Sequence, residues 1–186
     1  MLLIILGSIT IALICIIIAV ILIFNKFQRL KNGAEAGLSQ IKVALKKRLD
    51  MISQLVDVVK SYIKFEKNVL ENIANLRARV GQITDTNDVS NVNKDSKNVL
   101  DRLIAVVEDY PNLKASKNVE DLMIAIRDVE EEISRQRYTY NNIVQEYNTR
   151  LESIPSNIIG KIFSYKKLEY LQFEKEVDIA PKAELK

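Results

Sequence analysis

Side chains able to do polar chemistry gather most densely at Arg137, Tyr140, Asn141, Tyr147 and Asn148. Tyr140 to Tyr147 is one heptad and Asn141 to Asn148 is another. On a helix both phenols and both amides therefore stack along one side, with Arg137 a turn earlier. One reading makes this a recognition face, since phenols with polar tips, carboxamides and a planar guanidinium suit a peptide, a small ligand or a lipid headgroup. The other makes it an interior polar ladder that sets helix register, in which every buried group needs a partner. Aromatic stripes at helical spacing are usually core, which favours the ladder. The readings differ in one observable: a ligand site needs a cavity beside Arg137, and a ladder needs Tyr140 and Tyr147 buried between helices.

Missing residue types exclude much other chemistry. Glu130, Glu131 and Glu132 look like metal ligands, but consecutive helical residues fan out by about 100° each and cannot converge on one ion. Helical di-metal sites pair Glu with Glu-x-x-His, and the chain contains no His. Without His there is no imidazole base or ligand, and the single Cys15 makes neither a Cys-rich metal site nor an internal disulfide. Gly-rich phosphate loops are absent, and none of the 24 acidic residues stands in a recognisable catalytic context. The sequence therefore assigns no catalytic residue, no cofactor and no metal, and no nucleic-acid partner is expected.

The elements that carry these residues follow from an uneven distribution of charge. The chain has 186 residues, 27 basic and 24 acidic, and a mean hydropathy near zero, yet every charged side chain lies after Asn25. From Met1 to Phe24, 21 of 24 residues are apolar, the exceptions being Gly7, Ser8 and Thr10. As a helix this stretch is about 36 Å long, against a hydrocarbon core of about 30 Å, so it can span with some tilt. A secretory signal wants a basic n-region and a small-residue cleavage site, and neither is present; Ile14 before Cys15 is also too bulky for a lipoprotein site. The segment reads as a retained single-pass anchor in the cell membrane.

Residues 25–48 carry seven basic side chains against Glu35, a net +6, and residues 49–186 carry a net −3. The positive-inside rule then places the N-terminus outside and the C-terminal domain in the cytoplasm. The proximal basic residues can also meet anionic headgroups, at about 1 kcal/mol each. Lys46, Lys47 and Arg48 lie too far along for that and read as a solvated helix face. Ser8, Ala12, Cys15 and Ala19 fall on one face of the span, a small-residue stripe that suits self-association.

Beyond the anchor, Phe27, Leu30, Ala34, Leu38, Ile41, Leu45, Leu49, Ile52, Val56, Val59, Ile63, Leu70, Ile73 and Val80 recur at spacings of 3 and 4, broken mainly at Glu66. The pattern predicts one helix of about 50 residues with a narrow apolar seam, loosened at its start by Gly33 and Gly37. Thr84 to Asn98 is dense in Asp, Asn, Ser and Thr, which compete with helix, so its first half reads as a loop. A second helix follows to Asp109, where Pro111 pushes its neighbour out of the helical region. Ser116 starts a third, with Glu120 and Asp121 in its first turn complementing the helix N-terminus. That helix carries Leu122, Ile126, Val129, Ile133, Gln136, Tyr140, Val144, Tyr147, Leu151 and Ile154 until Pro155, and a short one follows through Ile158, Ile159, Ile162 and Phe163. Alternation from Tyr165 to Phe173 is only weakly strand-like.

The fold class is all-α: an N-terminal transmembrane helix followed by an elongated antiparallel helical bundle of three long helices and a short one. Residues 1–24 form the anchor, 25–38 a basic juxtamembrane segment, 39–163 the bundle and 164–186 a C-terminal tail.

These residues also carry a resemblance. The run SQIKVALKKRLDMISQLVDVVKSYIKFE from Ser39 resembles the first long helix of LemA family proteins. VVEDYPNLKA, RYTYNNIVQEYNTRLESIPSNIIG and the closing APKAEL are similar to later signatures of that family. The match is specific at Tyr110 and Pro111, at Arg137, Tyr140 and Asn141, and at Tyr147, Asn148, Pro155 and Asn157. Thr84 to Asn98 has no clear counterpart. Ser53 and Gln54 stand where the family usually has proline and asparagine, which removes an expected kink, and a tryptophan common near Leu38 is missing. The resemblance implies a single-pass membrane protein with a cytoplasmic helical bundle, and it implies no catalytic residue, cofactor or reaction.

Two functions lead, and a hydrolase working from carboxylates alone is a remote third. The first is a non-enzymatic scaffold, tethered in the lipid bilayer and engaging an unidentified protein partner at the inner membrane face, with the small-residue stripe offering a route to a homo-oligomer. The alternative is a sensor of a small ligand or lipid headgroup using the Arg137, Tyr140 and Tyr147 face.

Overall fold

A computed structural model describes residues 1–62 and 67–172. Ile63, Glu66, Phe173 and the closing 180–185 motif lie outside the described residues. The described residues form six helices: α1 Leu2–Val59, α2 Lys67–Gln82, α3 Thr86–Asp109, α4 Pro111–Lys114, α5 Lys117–Glu152 and α6 Ser156–Ile162. No strand occurs among the described residues, so the chain is all-α as its periodicity predicts. α1 is the one described helix long and apolar enough to cross a membrane. Its side chains from Leu3 to Ala19 are exposed without exception.

Four expectations need correction. The helix expected to continue to Val80 ends at Val59, and α2 is a separate element. α2 turns back along α1: Arg77 reaches Asp50 at 2.6 Å and Lys42 donates to the Ile83 carbonyl. It buries Ile73, Leu76 and Val80, while Leu70 is exposed. A helix that folds back on its predecessor buries a stripe of the same period as one that continues, and no Gly or Pro marks the break, so the pattern alone cannot separate the two. Second, α1 runs unbroken through Gly33 and Gly37, each of which leaves room for a close neighbour. A Cβ on Gly37 would sit 3.6 Å from Tyr140, and one on Gly33 would sit 3.6 Å from Ile143.

Third, the expected loop at the start of Thr84 to Asn98 is mostly helix, because α3 starts at Thr86. Asp85 caps it, its carboxylate accepting the Asp88 N–H at 2.8 Å, and the Asp88 carboxylate accepts in return from the Thr84 N–H at 3.1 Å. Reciprocal capping of this kind satisfies donors that the first turn leaves free. Fourth, Ile154 is 81% exposed and takes no part in the apolar face of α5.

The stops follow the expected chemistry. α3 ends at Asp109 with Tyr110 extended before Pro111, and Pro111 itself opens α4, where its missing N–H costs nothing. The Ser116 carbonyl accepts from the Val119 and Glu120 N–H groups as α5 begins. α1 continues without interruption through Ser53, whose hydroxyl donates to the Leu49 carbonyl at 2.9 Å.

By internal contacts the chain divides into two compact units, the first Met1–Ser39 with Tyr138–Glu169 and the second Gln40–Arg137 with Tyr170–Lys186. In the first unit α1 and the end of α5 run antiparallel. Lys26 pairs with Glu146 at 2.9 Å, and Gly37 lies beside Tyr140. Phe27, Leu30 and Tyr147 form its buried centre, with Ile23, Ile143, Leu151, Tyr165 and Leu168 packed around them. In the second unit Ile41, Leu45, Leu49, Ile52, Leu55, Val56 and Val59 of α1 are wholly buried. Leu76 and Val80 of α2, Leu100 and Leu103 of α3, Leu113 of α4, and Ile126 and Ile133 of α5 are buried with them.

Candidate functional site

The stripe on α5 comes together in the first unit as a ladder. Tyr140 and Tyr147 are 5% and 2% exposed, and Asn148 is also buried. Residues 165–172 are neither helix nor strand, so their backbone groups need partners from elsewhere. Tyr140 donates its phenolic hydrogen to the Glu169 carbonyl at 3.0 Å. Asn148 donates through Nδ2 to the Leu168 carbonyl at 2.9 Å and accepts the Leu168 N–H on Oδ1 at 2.9 Å. One carboxamide thus answers both backbone groups of Leu168. Asn141 is half-buried on the same helix.

Tyr147 contributes its ring. It meets Phe27 edge-on at 5.5 Å and 79°, and Tyr165 lies 6.4 Å from it. Phe24 and Phe163, 4.8 Å apart, extend the aromatic group, and Gln28 donates to the Tyr165 hydroxyl at 2.9 Å. Such ring pairs add about 0.5–1.5 kcal/mol beyond their area burial. Burial, followed by the nearby Glu169 charge, raises the Tyr140 phenol above its ordinary value; burial, followed by Tyr165, raises Tyr147. Both phenols are neutral at physiological pH, and Tyr140 acts as a donor.

Arg137 belongs to the second unit and donates to the Gln172 carbonyl, next to the buried Leu171. Three open grooves, of about 470, 650 and 580 Å³, are lined by residues other than Arg137, Tyr140 and Tyr147.

A second polar centre escaped the sequence reading. Arg48, expected on a solvated face with Lys46 and Lys47, is 1% exposed and among the largest fully buried side chains. Its Nη1 donates to the Asn93 carbonyl at 3.1 Å and to Ser96 Oγ at 2.9 Å. Its Nη2 donates to Asn93 Oδ1 at 3.0 Å and to Glu130 Oε2 at 2.9 Å, and Nε lies 2.6 Å from Glu130 Oε1. Burial pushes the Glu130 carboxyl up, and the Arg48 charge pulls against that shift. The guanidinium stays ionised in either case.

Two signals pointed to this centre. Arg48 holds a seam position between Leu45 and Ile52, and Asn93 and Ser96 fall one turn apart between buried Val89, Val92 and Leu100. Two polar residues of the 84–98 run, Asn93 and Ser96, thus solvate an arginine. Of the other two acids of the triplet, Glu132 pairs with Lys47 at 3.1 Å and Glu131 with Arg135 at 3.7 Å. Among the described residues no group of three or more His, Cys, Asp or Glu could hold a metal ion.

The family model described as LemA matches residues 37–184. Over 175 residues the chain is 21% identical to magnetosome protein MamQ 2 of Paramagnetospirillum magneticum, covering 80% of this chain and 64% of that protein. It is 20% identical over 185 residues to magnetosome protein MamQ of Magnetospirillum gryphiswaldense, covering 86% and 68% respectively. It is 27% identical over 139 residues to protein LemA of Metamycoplasma hominis, covering 74% and 63%. The chain therefore spans just under two thirds of the length of MamQ 2 and of that LemA protein. The family match takes in most of the chain, including the Arg48 centre and the whole α5 stripe, and the chain belongs to the LemA family.

Proposed function

We propose that this protein is a non-enzymatic scaffold, held in the cell membrane by the apolar start of α1 and presenting its helices to a protein partner at the inner face. One observation carries the reading: side chains suited to hold a ligand are engaged by the chain's own backbone. Tyr140 and Asn148 are engaged by residues 168–169, and Arg137 by Gln172. That arrangement weighs against a small ligand or headgroup held by the Arg137, Tyr140 and Tyr147 face.

Orientation is tested with a single cysteine. In a Cys15→Ala background, Asn142→Cys places a thiol at an exposed position of α5. An impermeant maleimide should label it only after cells are permeabilised, and labelling in intact cells overturns the inward orientation. Partner binding is tested by affinity capture with the membrane-inserted chain and with a chain starting at Asn25. The reading expects the inserted chain to retrieve a reproducible partner; retrieval of nothing above background by either removes its main support.

A further inference from the structure

α6 buries one face and leaves the other apolar. Ser156, Ile159 and Gly160 turn inward, and a Cβ on Gly160 would meet Leu151 at 2.7 Å and Phe27 at 3.9 Å. On the outer side of α6, Ile158 and Ile162 fall four residues apart with 55% and 68% exposure, and Ile154 in the turn before the helix and Phe163 just after it add 81% and 45%. Single exposed apolar residues need no explanation, but a contiguous stripe of them marks a contact surface.

Its position identifies the contact. Phe163 packs on Phe24, the last residue of the uncharged stretch, at 4.8 Å, and Ile23 shares a groove with Ile154 and Pro155. All of these residues belong to the first unit. The stripe therefore sits within a turn of the point where α1 leaves its apolar segment, roughly 6 Å along the helix. Interfacial helices bury their apolar face about 5–10 Å into the headgroup and acyl boundary. The charges agree: Arg29, Lys161 and Lys166 are exposed nearby, whereas the acids Glu146 and Glu152 already face Lys26, Arg150 and Lys167. Exposed cations at that depth attract anionic headgroups.

We propose that the Ile154, Ile158, Ile162 and Phe163 stripe is a membrane-docking surface, lying in the bilayer interface beside the end of the span. The docking fixes the first unit against the membrane as a second attachment, in either orientation of the chain. This inference rests on the anchor crossing the bilayer, and the experiment separates the two.

The chain lacks tryptophan, so one introduced residue reports its own surroundings. Full-length Ile158→Trp, Leu13→Trp and Tyr138→Trp chains are reconstituted into phosphatidylcholine and phosphatidylglycerol vesicles, with acyl chains brominated either near the headgroup or near the methyl end. Ile158→Trp should emit to the blue of Tyr138→Trp and lose about half its intensity to shallow bromines, with less loss to deep ones. Leu13→Trp should be quenched most by deep bromines. If Leu13→Trp is quenched and Ile158→Trp is not, the docking surface is refuted while the anchor stands. If neither is quenched, both fall. A blue-shifted Ile158→Trp that resists quenching means protein covers the stripe, which also overturns the proposal. Ile162→Trp repeats each comparison should Ile158→Trp fail to fold.

Discussion

The Arg48 centre of the second unit and the tyrosine and asparagine ladder of the first both bury polar side chains, and they do so at different cost. The ladder is built from neutral groups on one helix, of which Tyr140 and Asn148 answer backbone groups of residues 168–169 and Tyr147 supplies its ring. The Arg48 centre is ionic, and its guanidinium is enclosed by α1, α3 and α5 together. A neutral hydrogen bond contributes about 0.5–1.5 kcal/mol net, and an orphaned buried group costs about 1–3 kcal/mol. A buried ion pair adds little over an apolar replacement, but removing one partner costs about 3–5 kcal/mol. The ladder thus behaves as separable increments, and the Arg48 centre as a unit that stands or fails together.

The sharpest way to break that contrast is Arg48→Ala. It empties a fully buried site and takes the guanidinium away from Asn93, Ser96 and the Glu130 carboxylate, so chemical denaturation of the full chain in detergent should show a loss of about 3–5 kcal/mol. A loss under about 1 kcal/mol would place Arg48 among ordinary surface cations. Asn148→Ala comes next, because the Leu168 N–H and carbonyl both lose their partner; about 1–3 kcal/mol is expected by the same measurement.

Tyr140→Phe removes one bond to the Glu169 carbonyl and should cost about 0.5–1.5 kcal/mol. Its pH dependence sharpens the assignment. With the folded phenol raised above its unfolded value of about 10, the stabilisation is complete below that pH and fades as pH climbs through the folded value. The wild-type denaturation midpoint should therefore fall above about pH 10, and less steeply in Tyr140→Phe. Gly37→Ala is the smallest effect. The added methyl meets Tyr140 at ordinary contact distance, so relief of unfolded-chain entropy should leave stability unchanged or raised by up to about 1 kcal/mol. A clear destabilisation would mean that α1 and α5 approach there more tightly than their contact distance implies.

Legibility in the sequence followed how local each signal was. The start of α1, the stop at Asp109 before Pro111 and the heptad of Tyr140 and Tyr147 depend on neighbours within a turn or two, and all could be read directly. The break after Val59 could not, because a returning helix and a continuing one share the same apolar period. The 84–98 segment misled for a related reason. Asp85 caps the Asp88 N–H while Asp88 accepts from Thr84, and Asn93 and Ser96 face an arginine more than 40 residues away in sequence. The stripe on α5 was recognised as a set, but its partners were not, since a backbone carbonyl carries no residue-type signature.

Sequence alone determined the class of molecule. An uncharged apolar helix, a chain without His, and apolar residues at intervals of 3 and 4 follow from hydration and helix geometry, which act on each residue with little regard to its distant neighbours. Tertiary structure decided which polar residues face inward. Arg48 is buried and Lys46 is not, although both follow the same span, because only at Arg48 do α3 and α5 supply enough acceptors to replace water. Burial of a charge is set by what surrounds it in space, and that becomes known only once the helices have packed.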